Sequence, residues 1–498
     1  MPFSAKSSII VKTYLTIKKK KCVKSMDKYK KLLSNTVIFA VGTFSSKLLV
    51  FVMMPFYTRI LTEAEYGTAD LITQTGNLLY PLVTLGIVSG VVRYGLDKSY
   101  KKDDVFTMGL KTICCGLAAL LVIVPLFSLM NFLDGYLTLV YVFVMMSSLR
   151  ALCSQFVRAK GYVKLYAFDG ILSTATNVTF NILFLAVFKM GITGYILATV
   201  CSDFLSAIFL FLKARLFRFV KFKKVDKATA VSMIRYSVPL IPNNMFWWIT
   251  NVSDRYLVYF ISGAAENGLY AASYKIPTII VLVSNIFMDA WQVSAVSDMS
   301  PKARSRFFTK VFRNYCNLIF TACSGFILLA KPLTYILVSQ DFYASWKFIP
   351  YLIMSMAFSC FVTFLGSVYM VERKSVLSFL TTALGAVINI VFNLILIPKY
   401  GALGAAFATF FSYFVVYIVR IFDTSRFIKI KVQISRFALS SIILLAQSLI
   451  LLNEVELWVL WEILLTVCMV VLNMGEIFKR AIIVFREKEA KKEIGTNE

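Results

Sequence analysis

Two cations stand where hydrocarbon should be. Lys47 lies in the middle of the apolar stretch Leu32–Leu61, and Arg255 lies inside a second one, Arg235–Gly263. A charge at the centre of a membrane helix costs at least roughly 2.5–3.5 kcal/mol, so such a residue faces a polar cavity or a partner. The chemistry open to this pair is anion binding: Arg forks bidentately onto a phosphate, and Lys acts as a compact point charge. Asn244, Trp248, Asn251 and Arg255 follow one another at spacings of 4, 3 and 4, which is one helix face. Shifted back by 201 residues, that face becomes Thr43, Lys47, Val50 and Met54. Lys275, just beyond the second stretch, is a third cation of the same kind.

Acids are the other resource. Asp254, Asp289, Asp169 and Asp203 lie in or at the ends of apolar spans, and Asp70 begins one. A carboxylate in a low-dielectric cavity can cycle a proton or hold a cation, which makes Asp254 and Asp289 coupling-ion candidates for H+ or Na+. The blander reading is a counter-ion role, with Arg255 paired to Asp254 and Lys47 to Asp70. Trp247, Trp248 and Trp291 offer faces for sugar rings, or else ordinary packing and interface anchoring. Asn177, Asn181, Asn389 and Asn393 read first as hydrogen-bond glue between helices. Gly76, Pro81, Pro239, Pro242 and Pro277 are helix breakers, and Gly76, Pro81 and Pro277 are hinge candidates.

The elements that must position these groups are membrane helices. The 498 residues are 59% hydrophobic and 16% charged, with a mean hydropathy of +0.75. Apolar residues come in blocks of about 20, the length that crosses a hydrocarbon core. Fourteen spans are expected, near 34–58, 69–92, 106–130, 136–157, 166–188, 194–212, 236–261, 269–296, 312–330, 347–370, 376–397, 402–420, 434–452 and 457–474. The net charge of +27 collects in alternate loops, with Arg59, Lys189, Lys331, Lys347 and Lys399 the few cations on the other side. That asymmetry places both termini in the cytoplasm and accounts for the charge without nucleic acid.

The chain repeats itself. Ile60, Ala64, Glu65 and Gly67 match Ile261, Ala265, Glu266 and Gly268 after the same shift of 201. Asn177, Asn181 and Lys189-Met-Gly-Ile-Thr-Gly194 return as Asn389, Asn393 and Lys399-Tyr-Gly-Ala-Leu-Gly404. Spans one to six therefore correspond to spans seven to twelve. Each half has an even number of spans, so the repeat is parallel, as in transporters that rock two lobes about a central site. The fold class is an all-α polytopic membrane protein with two six-helix lobes and two added C-terminal helices. Residues 1–33 form a basic cytoplasmic tail, with 1–25 read as an extension before Met26. Residues 34–212 are the N-lobe, 213–235 a cytoplasmic linker, 236–420 the C-lobe, and 421–498 spans thirteen and fourteen with a basic tail.

Pro55-Phe-Tyr-Thr-Arg-Ile-Leu-Thr-Glu-Ala-Glu-Tyr-Gly67, Asn251-Val-Ser-Asp-Arg255, Gly268-Leu-Tyr-Ala-Ala-Ser-Tyr-Lys-Ile276 and Asn393 to Gly404 give the chain a wider resemblance. It resembles the polysaccharide or O-antigen (Wzx-like) flippases of the multidrug/oligosaccharidyl-lipid/polysaccharide exporter superfamily, from Met26 onward. The resemblance implies alternating access in the bacterial cytoplasmic membrane. It implies export of undecaprenyl-diphosphate-linked oligosaccharide for O-antigen, capsule or exopolysaccharide. Lys47, Arg255 and Lys275 would then contact the diphosphate, with Thr43, Asn244, Trp248 and Asn251 lining the cavity. It further implies a monomer working beside a polysaccharide polymerase and a chain-length regulator, with no cofactor.

Rival readings are a lipid II flippase, which would share the cationic cavity, and a cation-coupled multidrug exporter, which should put acids there. A membrane glycosyltransferase or polymerase fits poorly, because every loop expected outside is short. The chain has no histidine and no CxxC spacing, so the usual zinc and histidine-base chemistries find no residues. No cleaved signal peptide is expected ahead of the first span.

Overall fold

The computed structural model describes residues 51–128, 133, 135–221, 225–295 and 300–475. Among these residues the regular elements are all helical. Nine helices among the described residues are long and apolar enough to cross a membrane, or eleven if two bent pairs each count as one span. One long helix, Ser375–Ser425, holds two expected spans. Its 51 residues would run to about 77 Å if straight, more than twice a hydrocarbon core. It is broken at Gly401, whose φ of 56° and ψ of −141° are non-helical. Span seven is the helix Leu240–Ser262. Most of span one lies outside the described residues; its end is the short helix Met54–Ile60.

Each lobe has its own core. Leu71, Phe106, Val144, Phe156 and Leu210 centre the first. Phe312, Phe320, Phe358, Phe361 and Phe364 centre the second. A smaller cluster of Met54, Tyr57, Tyr66, Ala271, Ala272 and Phe342 joins them. Spans thirteen (Ile434–Leu452) and fourteen (Trp458–Gly475) pack on the C-lobe. Glu462, an odd residue for a membrane span, is fully buried there and accepts a 2.8 Å hydrogen bond from Gln447 Nε2.

The expected linker is partly helical. Asp226 caps the helix Lys227–Ser237 by accepting from Thr229 N at 2.9 Å. This helix packs against Ile87–Leu96, where Tyr94 Oη donates to Ser232 O. The bend that aims Ile87–Leu96 follows Pro81 closely. Glu63–Val83 and Ile87–Leu96 meet at 55°, and Leu85 and Gly86 take left-handed φ values of 47° and 63°.

The two sequence echoes meet in one kind of joint. Glu266 Oε1 accepts from Ala402 N at 2.7 Å, and Gly401 lies so close that a Cβ on it would sit 2.1 Å from that oxygen. In the first copy, Glu65 Oε1 lies 3.2 Å from where a Cβ on Gly191 would stand, and Gly191 has φ +55°. Each repeat thus seats the glutamate of its second helix on the glycine turn between its fifth and sixth. The asparagine pairs match as well. Asn181 donates to Asn177 Oδ1 and Asn393 to Asn389 Oδ1, both at 3.0 Å. Asn177 donates to Thr199 and Asn389 to Thr409, at 3.2 and 3.1 Å. Asn177 and Asn389 are thus glue between neighbouring spans, each braced by the asparagine one turn on.

Candidate functional site

Glu63–Val83 of the N-lobe and Leu240–Ser262 of the C-lobe face each other across the molecule's middle. At one end the lobes are pressed together through their duplicated glycines. A Cβ on Gly67 would lie 2.0 Å from Ala264 O, and one on Gly268 would lie 1.9 Å from Glu63 O. Only hydrogen atoms fit there, so the backbones touch. Asn267 Nδ2 adds a 2.9 Å bond to Gly67 O. Beside this contact, Ser339 donates through N and Oγ to Thr58 Oγ1 and O at 3.0 and 2.6 Å.

Below that joint a cavity of about 680 Å³ opens between the lobes. Gln74, Asn77, Tyr80 and Pro81 line it from one side, and Trp248, Asn251, Arg255, Tyr274 and Asn285 from the other. Trp248, Asn251 and Arg255 therefore present the one polar face that their spacing predicts. Asn244 and Asp289 have side chains outside those described, and Thr43 and Lys47 lie outside the described residues. A connected space of about 300 Å³ shares Arg255, Tyr274 and Asn285 and adds Phe51 and Lys275.

Arg255 has a partner, but not its neighbour in sequence. Its Nη1 lies 2.6 Å from Asp70 Oδ1 across the lobe boundary, with the two side chains only 12% and 11% exposed. The guanidinium also lies over the Tyr274 ring, 4.6 Å from its centroid. Arg255 Nε and Asp70 Oδ2 are buried without a hydrogen-bond partner among the described residues. The pair therefore spans the boundary while keeping a donor and an acceptor in reserve. Thr75 Oγ1 and Tyr256 Oη, 2.6 Å apart, tie the same two helices together.

Asp254 points away from the cavity into its own lobe. It is 1% exposed, and its Oδ2 accepts from Tyr270, Tyr274 and Thr409 at 2.7, 2.6 and 3.2 Å. Asp169 and Asp203 flank Arg150 in the N-lobe, at 3.9 and 2.8 Å. Lys275 is different. Its ammonium has no ion pair among the described residues, and it lines both the central space and a polar cavity of the N-lobe.

The remaining candidates lie within or between packed helices. Trp291 is buried, stacked on Phe364, and donates to Ser367 Oγ at 2.9 Å. Gly76 lies within the unbroken helix Glu63–Val83, where a Cβ would strike the Phe143 ring at 2.3 Å, so it serves close packing. The bend itself falls after Pro81. Pro277 lies one turn into Lys275–Ala295, beside the junction at Tyr274. Tyr274 and Asn285 line the site without standing out in the sequence. The sequence singles out Asp70 as an acid at the start of a span and offers Lys47 as its partner; the structure places it two turns into Glu63–Val83, against Arg255.

The fold and site define a membrane-embedded, two-lobed helical protein with a cationic cavity between its lobes. The chain belongs to the polysaccharide biosynthesis protein family, whose pattern residues 32–291 match. No curated protein is detectably similar to it in sequence. Among solved structures, it is similar to "Lipid II flippase MurJ, inward closed conformation", with 16% identity, a TM-score of 0.68, and 90% of this chain and 100% of that one covered. It is also similar to an inward-facing multidrug resistance MATE family transporter of the MOP superfamily. There the identity is 13% and the TM-score 0.61, covering 78% of this chain and 98% of that one. At these identities the likeness concerns the fold.

Proposed function

We propose that this protein moves undecaprenyl-diphosphate-linked oligosaccharide across the cytoplasmic membrane, from inner to outer leaflet, for surface polysaccharide synthesis. Family membership supports the polysaccharide part of the reading. The observation that carries the rest is the inter-lobe cavity, where, among the described residues, Lys275 has no ion pair and Arg255 Nε no hydrogen-bond partner. A diphosphate brings several acceptor oxygens and about two negative charges, which is what such a site lacks.

With both termini cytoplasmic, the glycine joint lies on the outer side, and the described state is closed outward. Substrate arriving from inside would compete with Asp70 for Arg255. Because that pair bridges the lobes, binding would loosen the closed face, and differential affinity of this kind is what lets a ligand shift a two-state population. A lipid II flippase would use the same cavity, and the likeness to MurJ keeps that reading second. A multidrug exporter for organic cations fits less well, because Asp254 is sealed behind three hydroxyls and the charged residues lining the central space, among those described, are Arg255 and Lys275.

The test is equilibrium binding in nanodiscs with a fluorescent undecaprenyl-diphosphate oligosaccharide. Lys275→Ala should weaken binding about tenfold or more, and a cationic dye should not compete. Dye competition, with no effect of Lys275→Ala, would reject the reading.

A further inference from the structure

Beside the central space lies a second cavity, of about 430 Å³, wholly within the N-lobe apart from one residue. That residue is Lys275, which stands at the junction of the two. The side cavity is polar, and within the N-lobe its ionic groups answer one another. Arg150 is held by Asp203 at 2.8 Å and Asp169 at 3.9 Å, and Ser147 donates to Asp203 Oδ2 at 2.6 Å. Asp169 stands behind Arg150 rather than on the wall, and Lys275, at the junction, is the lining charge with no ion pair among the described residues. What remains is a wall of hydroxyls and amides, among them Ser173, Thr199 and Ser202, with the rings of Tyr57 and Tyr195 opposite. Asn181 lines it too; it is 1% exposed, and its Oδ1 has no partner among the described residues.

A neutral ligand dense in groups that both donate and accept hydrogen bonds satisfies such a wall. The hydroxyls here are chained to one another, Thr176 to Ser202 and Ser202 to Ser173, and a polyhydroxylated ring extends such a chain and offers the donor that Asn181 Oδ1 lacks. We infer that the N-lobe cavity is the glycan subsite, holding the sugars next to the diphosphate while Lys275 holds the diphosphate at the junction. This rests on the lipid-linked oligosaccharide reading and adds where the carbohydrate sits. It also makes the N-lobe, not the central space, the part that senses the glycan.

Gly170 gives a clean test. It lines the cavity, and a Cβ placed on it meets nothing within 4 Å. Gly170→Leu should therefore fill the cavity without disturbing its helix. Gly325→Leu is the matched control, since Gly325 also has open space around it but lies in the C-lobe away from both cavities. Transport in liposomes would be compared for undecaprenyl-diphosphate bearing no sugar and bearing an oligosaccharide.

The expected result is a loss of about tenfold or more in oligosaccharide transport for Gly170→Leu, with the sugar-free lipid carried as by wild type and Gly325→Leu unaffected. Equal loss for both lipids would overturn the subsite, leaving the cavity a part of the conformational cycle. No loss for either would overturn it too, placing the glycan elsewhere. If wild type carries neither lipid, the transport reading itself fails and takes the subsite with it.

Discussion

At the scale of single residues, what matters is which charges are paired. Asp70 and Arg255 are 185 positions apart and nearly buried, so removing either leaves the other uncompensated. Breaking such a pair costs about 3–5 kcal/mol, whereas removing both costs much less. Asp70→Asn and Arg255→Gln should each lower thermal stability in detergent, and the double variant should lose less than the sum; strict additivity would show that no such pair exists. Lys275→Ala, by contrast, breaks no ion pair among the described residues and should leave stability within about 0.5 kcal/mol while weakening substrate binding. Farther out, Lys331 is buried between the Trp346 and Trp458 rings and donates to Glu454 at 2.5 Å. This bond holds the Glu454 carboxyl below the usual glutamate range. A depressed carboxyl stabilises the fold above its unfolded pKa and loses that contribution as pH falls through its folded one. Thermal unfolding should therefore show an acid-side decline, below the ordinary glutamate range, that Glu454→Gln removes. Sequence alone marks Arg255 as a functional cation but suggests Asp254 as its partner. The true partner is on another lobe, and no periodicity carries information across that distance.

At the scale of elements, two short motifs do the joining. The sequence shows Thr62-Glu-Ala-Glu-Tyr-Gly67 and Ala264-Ala-Glu-Asn-Gly268 as one echo, and the two KxGxxG segments as another. That each glutamate seats on a KxGxxG glycine is legible only in three dimensions, because spacing reports faces of one helix and not what lies beyond them. The span order and the duplication were readable because hydrophobic length and repeated spacing are local properties. The division of Glu63–Val83 from Ile87–Leu96 was less so: Pro81 marks a bend but not its angle or the left-handed pair after it. Replacing Gly by Ala in a helix usually stabilises it slightly. Here Gly268→Ala should do the reverse, costing about 1–3 kcal/mol as the lobes are pushed apart. Spin labels on the two lobes should then report a longer distance at that end. An unchanged distance with raised stability would remove the glycine joint from the account.

At the scale of the whole molecule, two homologous lobes touch at one end and leave a cavity in the middle, which suits a machine that rocks. Among the described residues, the closed end is held by the glycine joint with its Asn267 bond, the Met54–Phe342 apolar cluster, the Thr58–Ser339 bonds, the Thr75–Tyr256 bond and the Asp70–Arg255 pair. Motion is then a prediction of the contact pattern. A disulfide between Thr58→Cys and Ser339→Cys should halt transport, and reductant should restore it. Continued transport by the oxidised protein would mean that this face never opens. The central claim is that a cationic cavity between the lobes carries a diphosphate lipid. The most direct measurement is leaflet-to-leaflet movement of fluorescent undecaprenyl-diphosphate oligosaccharide in liposomes, comparing wild type with Lys275→Ala, Arg255→Ala and Lys47→Ala. The account predicts transport by wild type and a loss of about tenfold or more in each variant that remains folded. Wild-type protein that leaves this lipid in place while moving a cationic dye would contradict it.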